Sequence, residues 1–415
     1  MTATHMHTIT DESAGELIVF DSLTLDCVSV PATSVEQAYA QDVEFASWWS
    51  SHEAADRAEQ KRRIYARKPC RINNFRILLT EKCNFQCTYC FESGLMDIAP
   101  HMTLEVLEGT VKAIIEARPC ERVSIQWFGG EPLLRWKLIA HGMDLFEDAV
   151  AEKQISGVNY SLTTNGSLVT PAIAERMARE SIQVFVSVDG PQDVNDLSRI
   201  DRLGRGTYDR AIQGYRTLAD HGVDVGLLVT VSPETLSGLN SSIAHLIESE
   251  GLRRIGINTP QPTENGWDVD GALLASEIVK IIQFCDERGV KLIAPGMRAL
   301  RGLGTKTPHV DDCRAPGGEM AVSVDTFGRM SGCIVSWVEG RPWNKDEITH
   351  QSLARFEMQK SASTVQDVCD GCIAEAICGG PCHLELALRG LNPERCAFYQ
   401  TLMHESLMSL RRFNS

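Results

Sequence analysis

The chain has 415 residues, 43% of them hydrophobic, and a formal charge of −15. That size buries a large core in two or three domains, and so acidic a surface excludes a protein that tracks the nucleic-acid backbone. No run of about eighteen apolar residues offers a membrane span, and the polar start MTATHMHTITDESAGE lacks the parts of a signal peptide. The expectation is a cytoplasmic protein with no nucleic-acid and no membrane partner, in which fourteen cysteines serve metal ligation better than disulfides.

Residues 1–73 read as a small α+β arm. Glu16 to Asp21 and Leu25 to Val30 alternate as two short strands, and Ser34 is placed to cap one long charged helix running towards Lys68. Cys27 and Cys70 are expected in apolar packing.

From Asn74 strands and helices alternate. Strands are expected at Phe75 to Leu79, Val123 to Phe128, Tyr160 to Thr163, Val184 to Val188, Val225 to Val231 and Arg254 to Asn258, with helices beginning near Thr103, Leu133, Thr170, Thr207, Pro233 and Asp268. Such alternation demands parallel pairing, so the fold class is α/β, with residues 74–300 as a partial (β/α)6 barrel. The unusual residues fall at strand C-termini. Cys83, Cys87 and Cys90 follow the first strand, Gly129, Gly130, Glu131 and Pro132 the second, Thr164 to Gly166 the third, and Ser187 to Gly190 close the fourth. Each is a weak signal alone, since a glycine after a strand is most often a tight turn, but on one rim they mark the active end of a parallel barrel. Cysteine gaps of three and two residues let one loop wrap three thiolates around an iron-sulfur cube and leave one iron open for a small molecule. Structural zinc is the alternative, and it lacks a fourth ligand beside the loop.

Residues 301–415 hold a second cysteine system: Cys313, Cys333, Cys369, Cys372, Cys378, Cys382 and Cys396. A zinc ribbon from Cys369, Cys372, Cys378 and Cys382 is the competing reading, although zinc usually spaces its two ligand pairs further apart. Cys285, in a helix with Ile281, Ile282 and Phe284, and Cys120, just before a strand, are expected in the core.

The loop Cys83-x-x-x-Cys87-x-Tyr89-Cys90 resembles the signature of the radical S-adenosylmethionine (SAM) superfamily. The resemblance covers roughly residues 74–300 and implies a 4Fe-4S cluster on Cys83, Cys87 and Cys90 with SAM chelated to its open iron. It further implies that Gly129, Gly130, Glu131 and Pro132 grip the SAM amino group, that Tyr89 lies near the adenine, and that Ser187 and Arg199 contact the cofactor. For Arg199 a surface pairing with Asp196 or Asp201 is an equal alternative. Phe128 stands where some relatives have a polar residue facing the substrate.

The seven later cysteines resemble a SPASM domain, which implies two auxiliary 4Fe-4S clusters, three in all. Cys313, Cys333 and Cys382 would hold the first and Cys369, Cys372, Cys378 and Cys396 the second. The fourth ligand of the first cluster stays open among Asp311, Asp312, Cys285 and a substrate group. Anaerobic sulfatase maturases of this architecture keep a catalytic aspartate where this sequence has Ile334, which argues against side-chain oxidation to an aldehyde. The N-terminal arm partly resembles a winged-helix unit that recruits leader peptides by strand addition, and a purely structural arm is the equal alternative.

Together these resemblances imply a peptide-modifying oxidoreductase. A 5'-deoxyadenosyl radical would abstract hydrogen from a ribosomally made precursor peptide to form a C-C, C-S or C-O cross-link, with electrons from a flavodoxin or ferredoxin. A sulfatase-type formylglycine maturase and a noncatalytic iron-sulfur carrier are the alternatives, and epimerisation and small-molecule dehydrogenation stay open.

Overall fold

The structure is a computed structural model and describes residues 5–65, 71–90, 101–259, 269–309, 321–332, 346–360, 369–380 and 390–410. Cys70, Asp311, Asp312, Cys313, Cys333, Ile334 and Cys382 lie outside these residues.

The arm contains an antiparallel sheet of β1 (Met6–Asp11), β2 (Glu16–Asp21) and β3 (Cys27–Val30), with β2 in the middle. Strand β1 is absent from the sequence expectation because His7, Thr8 and Thr10 hide the buried Met6 and Ile9. The single long helix expected from Ser34 is three: α1 (Val35–Gln41), α2 (Val43–Glu53) and α3 (Arg57–Ile64). Ser34 caps α1 as expected, and Asp42 and Asp56 restart the helix by accepting from the N–H groups of Phe45 and Glu59, each at 2.9 Å. Period-two alternation gives the sheet two apolar faces. Leu17, Val19 and Val30 pack on Phe45 and Trp49, while Ile9, Ile18 and Phe20 join the main core. Cys27 is exposed, contrary to expectation: it stands opposite Phe20 on the face turned to the main core, but on an edge strand.

The large sheet contains the six expected parallel strands in sequence order: β4 (Asn74–Leu78), β5 (Arg122–Phe128), β6 (Gly157–Thr164), β7 (Gln183–Ser187), β8 (Asp224–Thr230) and β9 (Arg254–Asn258). It extends beyond them. Strand β10 (Lys291–Ile293) adds parallel to β9, and β11 (Ala321–Val324) adds parallel to β4 with β12 (Met330–Ser331) antiparallel beyond it.

Between the strands lie α4 (Leu104–Ala117), α5 (Trp136–Ala151), α6 (Pro171–Arg179), α7 (Gln192–Ser198), α8 (Tyr208–Asp220) and α9 (Leu239–Glu250). Thr103 and Thr170 cap α4 and α6 as expected. The helices expected at Leu133 and Pro233 begin later, after short 3-10 turns at Pro132–Arg135 and Leu236–Gly238, and α7 was not expected. Outward residues such as Val123, Ile125 and Trp127 are fully buried against the helices, which leaves Ser124, Gln126 and Phe128 on the concave face.

Downstream, α10 (Gly271–Glu287) is capped by Asp270 and contains buried Cys285, as expected. It is followed by α11 (Met297–Gly304), α12 (His350–Lys360), α13 (Glu375–Cys378) and α14 (Pro393–Leu410). Helices α14 and α10 pack backbone to backbone: the Gly271 N–H donates to Glu394 Oε2 at 2.8 Å, and a Cβ there would lie 1.8 Å from the Glu394 carbonyl oxygen. Cys120 is exposed, not core, because it occupies a positive-φ turn before β5. Among the described residues no helix is long and apolar enough to cross a membrane.

Candidate functional site

Strand β4 ends at Leu78, and the cysteine loop leaves it at the C-terminal rim. Two neighbours pin that loop. On one side the Gly130 and Glu131 N–H groups donate to the carbonyls of Thr80 and Lys82 at 2.9 and 3.0 Å. A Cβ at Gly129 would stand 2.4 Å from Thr80 O and one at Gly130 2.7 Å from Glu81 O, so only glycines let the strands' loops approach this closely. On the other side the N–H groups of Gln86 and Thr88 donate to the carbonyls of Ile200 and Ser198, at and just past the end of α7.

Glu131 is fully buried. Its Oε1 accepts from the Leu133 N–H and the Thr164 hydroxyl, and its Oε2 from the Asn165 N–H at 2.7 Å. Burial pushes its carboxyl up to about 7 against these three donors. Asn165 reaches back to the cysteine loop, donating to Asn84 Oδ1 at 2.8 Å and lying 3.7 Å from Cys83 Sγ. The second, third and first strand ends are thereby tied through one buried carboxylate.

The fourth strand end holds a charged cluster around Asp189, a residue with no site role in the sequence reading. Its carboxylate accepts from the Tyr89 hydroxyl at 2.6 Å and from the Thr230 N–H at 2.9 Å, and forms an ion pair with Arg199, whose Nε lies 2.9 Å away. Arg199 is buried, with its guanidinium 5.4 Å from the Tyr89 ring centre. This overturns the surface alternative: Asp196 instead accepts from the N–H groups of Thr207 and Tyr208, and Asp201 pairs with Arg205 and Arg210. Burial opposes the Arg199 charge, but Asp189, Tyr89 and Cys87 hold it above the ordinary guanidinium range. Ser187 is buried at the end of β7, and Phe128 is half-buried at the end of β5. The only sequence signal for Asp189 was its place in the Ser187 to Gly190 turn.

The donor set suits an iron-sulfur cluster. Burial pushes Cys83 up to about 12 and raises Cys87, whose thiolate is favoured by the neighbouring Arg199, so these sulfurs ionise on binding a cation. Among the described residues, the three-ligand group with donor atoms all within 4.8 Å of one another is His5, Asp370 and Glu375. At least one pair among the Cys83, Cys87 and Cys90 sulfurs therefore stands more than 4.8 Å apart, wider than the roughly 3.8 Å that one tetrahedral zinc would impose.

Residues 77–246, which span this rim, match the Radical SAM superfamily. They form a radical SAM domain. Among curated relatives, the radical SAM cyclopropyl synthase TigE of Paramaledivibacter caminithermalis is 27% identical over 48% of this chain and 44% of its own length. The serine-type anaerobic sulfatase-maturating enzyme of Klebsiella aerogenes is 25% identical over 80% of this chain and 84% of its own. The match spans about half the length of the first three relatives, from 44% to 61%. Two solved structures share the radical SAM fold. Native anSMEcpe with bound AdoMet has a TM-score of 0.67, 18% identity and coverage of 82% of this chain and 98% of that one. Streptococcus suis SuiB bound to precursor peptide SuiA has a TM-score of 0.56, 13% identity and coverage of 93% and 96%.

Beyond the radical SAM domain, Cys369 and Cys372 lie in one tight turn, where the Cys372 N–H donates to the Cys369 carbonyl at 3.0 Å, and Cys378 ends the short helix α13 that follows. Gln400, one turn past Cys396 on α14, points its amide at Cys372 Sγ at 3.7 Å, which brings Cys396 to the same loop. The N-terminal arm docks there. Glu375, buried between Cys372 and Cys378, accepts from the Tyr65 hydroxyl at 2.9 Å and faces His5 and Lys61 at 3.1 and 3.3 Å. Lys61 also lies 2.5 Å from Asp370, so a protein cation already fills the His5, Asp370 and Glu375 group.

Proposed function

We propose that this protein is a radical SAM maturase that oxidatively modifies a ribosomally synthesised precursor peptide by cross-linking two of its side groups through a C-C, C-S or C-O bond. The observation that carries the proposal is the cysteine loop held at the barrel rim between the Gly129 to Glu131 turn and the Tyr89, Asp189 and Arg199 cluster. A bound 4Fe-4S cluster with SAM supplies hydrogen abstraction by a 5'-deoxyadenosyl radical. In that reading Cys83, Cys87 and Cys90 ligate the cluster. The backbone of Gly129, Gly130 and Pro132 with the Glu131 carboxylate receives the SAM ammonium, and Arg199, held by Asp189, meets its carboxylate. Tyr89 and Ser187 border the nucleoside. The packed sheet keeps water from the radical.

Two auxiliary clusters on the later cysteines would accept the electron left by substrate oxidation, and a flavodoxin or ferredoxin would supply the initiating one. Support for a peptide substrate comes from the relatives, which include sulfatase-maturating enzymes and a fold neighbour bound to a precursor peptide. The length shared with the Klebsiella enzyme favours a formylglycine maturase as the second reading, and Ile334 opposes it. Mass spectrometry of a peptide co-expressed from a neighbouring reading frame tests the proposal. Loss of two hydrogens with a new inter-residue bond supports it, whereas conversion of a serine or cysteine to formylglycine selects the second reading.

A further inference from the structure

The cysteine loop also has an outward side. Gln86 and Thr88, on either side of Cys87, are exposed, and their N–H groups donate to the Ile200 and Ser198 carbonyls at 2.8 and 3.0 Å. Solvent and a cysteine of the loop are one residue apart here. Phe85 forms an antiparallel bridge with Asp201, and the Arg210 guanidinium covers its buried ring 5.0 Å from the centre. From Asp201 to Arg205 the chain makes a tight turn built on one buried carboxylate. Asp201 Oδ1 accepts from the Leu203 and Arg205 N–H groups at 2.9 and 3.0 Å, and its Oδ2 pairs with Arg205 and Arg210 at 2.8 and 3.0 Å. Gly204 takes the positive φ of 73° that the turn requires. So fixed, the turn holds Leu203 in solvent, 76% exposed, and Leu197, near the end of α7, is 64% exposed. One carboxylate shared by two guanidiniums leaves a surplus of positive charge. Between Leu197 and Arg210 the exposed charged residues are Arg202, Arg205 and Arg210 against Asp209. In a chain of net charge −15 this is a basic, partly apolar face laid directly over the cysteine loop.

We infer that this face, Leu197 and Leu203 among Arg202, Arg205 and Arg210, docks a small acidic one-electron carrier protein. A local basic patch steers towards the loop an acidic partner that the rest of so acidic a surface repels. Electron-transfer encounters use small interfaces, so a patch of this size suffices, and a turn already fixed by Asp201 costs little to order. The carrier loses one electron and the cluster proposed on Cys83, Cys87 and Cys90 gains it. The electron enters beside Cys87 without crossing the concave face proposed for SAM and substrate. The inference rests on the radical-initiator reading for the statement that an electron is needed at this loop.

The test is titration calorimetry of the reconstituted full-length protein with flavodoxin as the probe, at low and at physiological salt. Wild type is expected to bind it, and more weakly at the higher salt. The double variant Arg202→Glu, Leu203→Glu is expected to raise the dissociation constant at least about tenfold. Arg179→Glu, at an exposed arginine ending α6, is expected to leave it unchanged. Iron content and dithionite-driven release of 5'-deoxyadenosine, which needs no docking, stay at the wild-type level in both variants and report that they are folded. Absence of binding to wild type, a constant unchanged in the double variant, or an equal loss in Arg179→Glu overturns the inference. Selective binding by a wild-type protein that forms no 5'-deoxyadenosine with dithionite leaves the docking face standing and removes the radical-initiator reading instead.

Discussion

At Asp189 one carboxylate holds two groups from distant parts of the sequence, the Tyr89 hydroxyl and the Arg199 guanidinium. Replacing it with asparagine leaves a buried cation without its counter-charge, a loss of about 3 kcal/mol. For Asp189→Asn we expect the SAM dissociation constant to rise about tenfold or more with iron content retained. An unchanged constant would mean that Arg199 does not meet the cofactor. Glu131 gives a pH test. Its folded carboxyl is raised to about 7 from 4.5, so its contribution to stability is full below pH 4.5 and is lost as pH rises through 7, roughly 3 kcal/mol in all. In the apo protein, wild type should therefore lose stability relative to Glu131→Gln, which does not titrate, as pH rises from 5 to 8, read as a change in the gap between their urea midpoints. A gap constant across that range would contradict the assignment. The sequence singled out Glu131 but not Asp189. Asp189 acts through partners 100 and 10 residues away, and the acids nearest Arg199 in sequence, Asp196 and Asp201, turn to other donors.

At the scale of elements, the rim depends on how closely the β5 turn approaches the cysteine loop. A Cβ at Gly130 meets the carbonyl oxygens of Glu81 and Lys82 at 2.7 Å, and neither atom is a flexible side-chain end. Gly130→Ala should move the loop at a cost of about 2 kcal/mol and lower the cluster absorbance per molecule, while Gly109→Ala, with nothing within 4 Å, should leave it unchanged. Equal absorbance in the two variants would remove the close approach as the reason for glycine. The six central strands were legible from short apolar runs between turns, as in β5, where Val123, Ile125 and Trp127 alternate with Ser124 and Gln126. Strand β11 was not, since its partner β4 lies some 250 residues away in sequence and its four residues have no helix after them. Nor was the break of the arm into three helices, because Asp42 and Asp56 read equally well as members of a charged helix face.

At the scale of the whole molecule, the parts join through buried polar contacts. Glu375 ties the arm's His5, Lys61 and Tyr65 to the Cys369 to Cys378 loop, and α14 ties Cys396 to that loop while packing on α10 of the barrel side. The second cysteine loop is therefore held by elements from both ends of the sequence. The central claim, that the rim is a radical initiator and not a carrier of iron and sulfur, is tested most directly by product formation. Anaerobically reconstituted protein incubated with dithionite and SAM should release 5'-deoxyadenosine and methionine, and Cys87→Ala should release neither. A wild-type protein with full iron content that yields no 5'-deoxyadenosine would contradict the account.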